Sequence, residues 1–186
     1  MSSSLVFWIA AAVALFWAVG AYNRLVRLRS EANTAFAAMD AELTRQVALV
    51  QSCLPAEEIQ PASMFDGSSS FWSSLEGATA QFAASLAVAR QRPLEPEGIA
   101  ALGAAQDVLT MAWERAVRDD AHDLAGSRLP ESVSVTRAHL VAQAGAAAEN
   151  FNLAVQRYNA AIAQFPALLL ASLFGFKPGL ALPLSA

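Results

Sequence analysis

An echo seven residues long near the end of the chain constrains its fold more than any other feature. Phe151, Tyr158 and Phe165 recur at one heptad position, Asn152 and Asn159 at the next, and Val155 and Ile162 at a third. Only a helix brings such a series onto one face, and an aromatic and branched stripe of this kind must pack against other helices. Pro166 has no amide hydrogen and disfavours helical geometry at the preceding residue, so the segment is predicted to stop at Phe165.

The opposite end of the chain carries a second constraint. No charged side chain occurs from Ser2 to Asn23, and Leu5 to Gly20 is almost wholly apolar. Twenty helical residues rise about 30 Å, the thickness of a bilayer's hydrocarbon core. The run therefore reads as an N-terminal transmembrane helix, with Leu5, Trp8, Phe16, Trp17 and Gly20 in the span and Trp8, Trp17 and Tyr22 near its interfaces. Ala18-Val19-Gly20 also fits a signal-peptidase site. Against cleavage, no Lys or Arg precedes the apolar run, whereas Arg24, Arg27 and Arg29 follow it directly. The same arginines favour a cytoplasmic C-terminal side by the positive-inside rule, with a periplasmic or extracellular bundle as the alternative.

Beyond this anchor (residues 1–23), about 160 residues suffice for one domain. Apolar positions step by three or four through Leu25, Leu28, Ala32, Ala35, Met39, Leu43, Val47, Val50 and Leu54, so the first helix is expected to continue out of the membrane as far as Pro55. Pro55, Pro61 and the Asp66-Gly67-Ser68 run read as a loop. A second helix, Phe71 to about Arg92, carries Phe71, Leu75, Ala78, Phe82, Leu86 and Ala89 on one side and ends before Pro93. A third starts at Pro96, a residue suited to the first helical position, and runs to about Leu124, with Glu114 and Arg118 spaced as an i,i+4 pair and Gly126 as its cap. The fourth opens at Ser132 and leads into the echo. No useful strand alternation occurs. The expected class is all-α: the transmembrane helix followed by an antiparallel bundle of about four long helices over residues 24–165, then an apolar tail, 166–186.

Few residues suggest chemistry. A net charge of −4 argues against a nucleic-acid binder, which needs a concentrated basic surface, and the juxtamembrane arginines suit anionic lipid headgroups better. The single cysteine, Cys53, precludes an intrachain disulfide. In the run Asp119-Asp120-Ala121-His122-Asp123, Asp119 and His122 share a helix face and could bind a divalent cation only with a further ligand from elsewhere, and a solvated helix end explains the run, Asp120 included, as well. No GxSxG, phosphate-binding glycine loop, HExxH or CxxC motif is present. No cofactor is expected and no catalytic residue is assigned. Asn23, Asn152 and Asn159 each stand beside an aromatic. Either they bury their amides and fix helix register, or they flank the stripe in water.

Tyr22-Asn23-x-Leu25-Val26-x-Leu28-Arg29 after an N-terminal anchor, with Asn152-x-Ala154-Val155-x-x-Tyr158-Asn159-x-x-Ile162-x-x-Phe165-Pro166 and Gly175-Phe176, resembles the LemA family. The resemblance spans both ends of the chain, while the middle is matched only by helical pattern and by the general run Leu86 to Arg90. It implies a bacterial, membrane-anchored antiparallel bundle with no established enzymatic activity. The chain departs from the family at Phe151, where tyrosine is more frequent, at Pro55 and Pro61, which cut the first long helix short, and in its apolar tail.

The reading is of a single-pass inner-membrane scaffold that engages a protein partner, with membrane lipids as its other partner. The alternative is a lipid-binding or membrane-organising protein that uses the arginines and the tail. An alanine-rich bundle also leaves homo-oligomerisation open. The tail holds one charged side chain, Lys177, and packing of its leucines and phenylalanines onto the bundle is favoured over contact with a bilayer or a partner.

Overall fold

The structure is a computed structural model that describes residues 2–54, 67–121 and 129–183. Five helices account for nearly all of it: α1 (Ser2–Cys53), α2 (Gly67–Gln91), α3 (Pro96–Ala121), α4 (Glu131–Ala163) and the short α5 (Ala167–Phe174). No strand occurs among the described residues. The expected all-α class is observed.

The helix α1 is a single rod of 52 residues, about 78 Å at helical rise. Its two halves differ in what surrounds them. Leu5, Trp8, Phe16 and Trp17 are 53–79% exposed, whereas Leu25, Ala32, Phe36, Met39, Leu43 and Val50 are buried. The apolar half is long enough and apolar enough to cross a membrane, by length and composition. It projects from one end of the bundle, which we call the lower end. Gly20 lies within unbroken helix.

Above this projection α1 packs antiparallel to α4, and α2 packs against α3 and more lightly against α1. Buried contacts between α1 and α4 descend in step. Gln46 donates its Nε2–H to the Leu140 carbonyl at 3.2 Å, and Phe36 meets Phe151 edge to face at 5.6 Å. Lower still, Leu25 shares a cluster with Tyr158 and Ile162. Phe71, Leu75, Ala78, Phe82, Leu86 and Ala89 of α2 are all buried, as their spacing predicts. Arg90 bridges α2 to α1 through a two-pronged bond to Asp40 at 2.7 and 2.9 Å, which holds its guanidinium above the ordinary pKa.

Three boundaries differ from expectation. The helix α2 begins at Gly67, so Ser68 to Ser70 are helical instead of looped. The helix α4 ends at Ala163, which takes Phe165 out of the stripe and leaves it 71% exposed. The core place expected for Ala35 is taken more fully by Phe36, which is 2% exposed. Pro55, Pro61, Gly126 and Leu124 lie outside the described residues.

Asp120 carries the largest surprise. It is 1% exposed and accepts the Leu129 amide at 2.9 Å, so a carboxylate that reads as solvated in the sequence ties the end of α3 to the start of α4. Nearby, Arg137 of α4 lies 4.8 Å over the Trp113 ring of α3. Burial pulls its guanidinium below the ordinary pKa, and Glu114 opposes the shift.

Phe151 is fully buried at the centre of the α1–α4 seam. Phe151→Ala is expected to cost about 3–5 kcal/mol, whereas the same truncation at Met111, 61% exposed on α3, should stay within about 0.5 kcal/mol. Thermal unfolding of the full chain in detergent checks both.

Candidate functional site

Chemistry-bearing residues gather at the lower end, where the chain leaves α4 and folds back on α1. The turn begins at Pro166, after a cis Phe165–Pro166 bond, and α5 follows. Gly175 closes α5 with φ of 69°, in the left-handed region, and the amides of Gly175 and Phe176 both donate to the Ala171 carbonyl. From Phe176 to Pro183 the chain has no helix and runs as an extended strap up the bundle.

Asn152 and Asn159 hold this strap. The Asn159 amide donates to the Gly179 carbonyl at 2.8 Å and accepts the Gly179 N–H at 2.9 Å. The Asn152 amide does the same to Leu182, donating at 3.0 Å and accepting at 2.7 Å. Each asparagine thus pairs with one residue's main chain as a neighbouring strand would. The spacing explains the fit: seven helical residues rise about 10.5 Å, and three extended residues cover about 10 Å. The amides find partners, as the first sequence-based reading requires, but those partners are the strap's main chain and not a neighbouring helix. They point neither into the α1–α4 seam nor into water.

The strap also fills a gap. Among the described residues, no Cα of α3 comes within 8 Å of a Cα of α4, and the strap lies between the two. Leu182 is 2% exposed. A β-carbon on Gly103 of α3 would come within 2.8 Å of Pro183, and one on Gly179 within 3.1 Å of Leu94. Glycine at both positions lets the strap seat closely.

Below the strap, side chains of the tail meet α1 in an aromatic corner. Trp17 packs on Phe165 at 5.6 Å, and Tyr22 packs on Phe174 at 5.1 Å and on Phe176 at 6.0 Å. Tyr158 is buried beside them, and its phenol is pushed above 10.0 by that burial, against the opposing field of Arg29. The structure thus brings together Tyr22, Tyr158, Asn159, Ile162, Phe165, Pro166, Gly175 and Phe176 at the lower end, with Asn152 two turns higher on Leu182. Phe151 lies higher in the seam, and Asn23 is exposed.

The three arginines are not equivalent. Arg27 pairs with Glu31 at 3.6 Å, and Arg29 sits 5.9 Å over the Phe176 ring. Arg24 makes no ion pair or hydrogen bond among the described residues and borders a cleft of about 370 Å³. Phe16, Trp17 and Gly20 form one wall, Phe165 and Pro166 the other. A more polar cleft of about 650 Å³ lies between Arg29, Arg92, Glu95, Tyr158 and Lys177. Arg92 and Glu95 pair with one another there at 3.1 Å.

Of the weak metal candidates, His122 and Asp123 lie outside the described residues, and Asp119 meets Arg115 at 3.4 Å. No buried side-chain nitrogen or oxygen lacks a hydrogen-bond partner among the described residues. Sequence reasoning missed Gln46, Asp120, Gly103, Gly179 and Leu182. The spacing of Gly179 and Leu182 against the two asparagines is a readable signal once an extended tail is considered.

No family model matches the chain, and neither curated proteins nor solved structures give a match.

Two outcomes follow for the strap. Asn152→Ala or Asn159→Ala should each lower the hydrogen-exchange protection of the Gly179 and Leu182 amides about tenfold while leaving the α1–α4 amides protected. A fall of about 1–2 kcal/mol in local stability corresponds to this. For Tyr158, the raised folded-state pKa means its contribution is complete below the ordinary tyrosine value near 10.0 and is lost as pH climbs past it. Alkaline unfolding should therefore set in at higher pH in Tyr158→Phe, measured against the parent at matched neutral stability.

Proposed function

We propose that this chain is a single-pass, membrane-anchored helical-bundle scaffold that presents its bundle to a protein partner and has no catalytic activity. One observation carries the reading. Helix α1 passes without interruption from an exposed apolar half into the buried core of the bundle, so no flexible linker separates anchor from domain. A bundle joined in this way stands at a fixed height above the bilayer. Arg24, Arg27 and Arg29 follow the apolar half directly, which favours a cytoplasmic bundle and a bacterial inner-membrane location by the positive-inside rule. The resemblance to the LemA family points the same way.

A second reading, a membrane-organising protein, is favoured by one feature of the tail. Leu168, Leu169, Leu173 and Phe174 of α5 are 52–76% exposed at the level where the apolar half of α1 leaves the bundle. A surface of this kind is costly in water.

Photo-crosslinking in intact membranes tests the scaffold reading, with the reactive side chain placed at exposed Val88, Met111, Val135 or Leu153. A discrete adduct with a second protein, restricted to positions on one side of the bundle, is the expected result. Absence of any discrete adduct on α2, α3 and α4 would contradict it. A cysteine at position 111 in a Cys53→Ser background should react with an impermeant maleimide only after the cells are permeabilised, and labelling of intact cells would overturn the cytoplasmic orientation.

A further inference from the structure

We propose that α5 is embedded in the leaflet next to the bundle and that the cleft between α5 and α1 binds an anionic phospholipid. This rests on the reading of the apolar half of α1 as a membrane anchor.

The pattern of α5 is inverted relative to a helix packed on a soluble core. Its small residues, Ala167 and Ala171, are buried against Leu25, Tyr158 and Ile162, while its large ones, Leu168, Leu169, Leu173 and Phe174, face outward. Such a face suits hydrocarbon. Its position is fixed by the ring contacts Trp17–Phe165 and Tyr22–Phe174, which join it to the last turns of the uncharged run. What covers α5 is therefore the medium that surrounds those turns.

The cleft adds specificity to this placement. Phe16 and Trp17 line its depth, and Gly20 has nothing within 4 Å of where a β-carbon would stand, which leaves that wall open. Arg24 lies seven residues above Trp17, about 10 Å along the helix axis. A cation at headgroup level above an apolar slot matches a phosphate with its acyl chain below. Gln164, also on the cleft wall, supplies amide donors for the same phosphate. Among the three arginines, Arg27 and Arg29 are engaged by Glu31 and Phe176, and Arg24 alone borders this cleft. Among the described residues no carboxylate lines the cleft to receive a choline or ethanolamine cation, so a net-anionic lipid is preferred over a zwitterionic one.

The test uses the full chain, reconstituted in vesicles of phosphatidylcholine alone or with about one third phosphatidylglycerol. An environment-sensitive dye on Leu173→Cys, in a Cys53→Ser background, reports immersion. Native mass spectrometry of the detergent-extracted protein reports retained lipid. The dye is expected to be quenched by lipid-borne spin labels and shielded from aqueous iodide. Retained phosphatidylglycerol should exceed phosphatidylcholine, and that preference should fall about fivefold in Arg24→Gln, the equivalent of about 1 kcal/mol for one cation near the surface. Arg24→Lys should keep most of it, and Arg27→Gln all of it.

An iodide-accessible dye in a protein that stays in the pellet after alkaline carbonate would overturn the embedded helix while leaving the anchor intact. An unchanged lipid preference in Arg24→Gln would overturn the site. Release of the unmodified protein by alkaline carbonate would overturn the anchor reading and the site with it.

Discussion

Everything at the lower end depends on the pairing of α1 with α4. Because the two run antiparallel, with Phe36 on Phe151 and Leu25 by Tyr158, the chain must leave α4 beside the exposed half of α1. Pro166 and Gly175 then turn it sharply around α5. The tail has no long route elsewhere, and its aromatic side chains come to rest on Trp17 and Tyr22. The upper end is closed by different means: Asp120 accepts the Leu129 amide and Arg137 covers Trp113.

A pair of asparagines converts the remaining tail into part of the domain. Main-chain groups of an extended segment need partners when they are taken out of water, and Asn152 and Asn159 provide both a donor and an acceptor at each site. Without the strap, the gap between α3 and α4 would expose the surface that Leu182 now covers. Where it runs, the strap therefore stands between α3 and α4, which touch directly higher up through Arg137 and Trp113, and Gly103 is the concession α3 makes to it. On the proposed reading, α5 divides the tail into a part that serves the bilayer and a part that serves the bundle.

Much of this was legible in the sequence. The heptad echo and its proline delimit α4 to within two residues, and Pro93 and Pro96 delimit the end of α2 and the start of α3, because proline's missing donor acts locally. The stripe of α2 is buried at each expected position. Phe165 was misread because heptad register alone placed it in the core. The helix ends at Ala163, and the backbone turns it outward onto Trp17. The asparagines stayed ambiguous because their partners lie 20 and 30 residues on, in a segment without periodicity. Asp120 read as wet because its partner amide is set by tertiary structure. The arginines read as one basic cluster because spacing does not show that Glu31 and Phe176 engage two of them.

The return of the tail onto α1 is the central claim, and it can be measured directly in a membrane. Cysteines at positions 22 and 174, where the native rings lie 5.1 Å apart, are introduced into a Cys53→Ser chain and treated in lipid vesicles with a short bifunctional maleimide. A rapid crosslink within one chain, absent when the second cysteine is moved to exposed Met111 on α3, is the predicted result. Failure to crosslink, or crosslinking only between chains, would contradict the account.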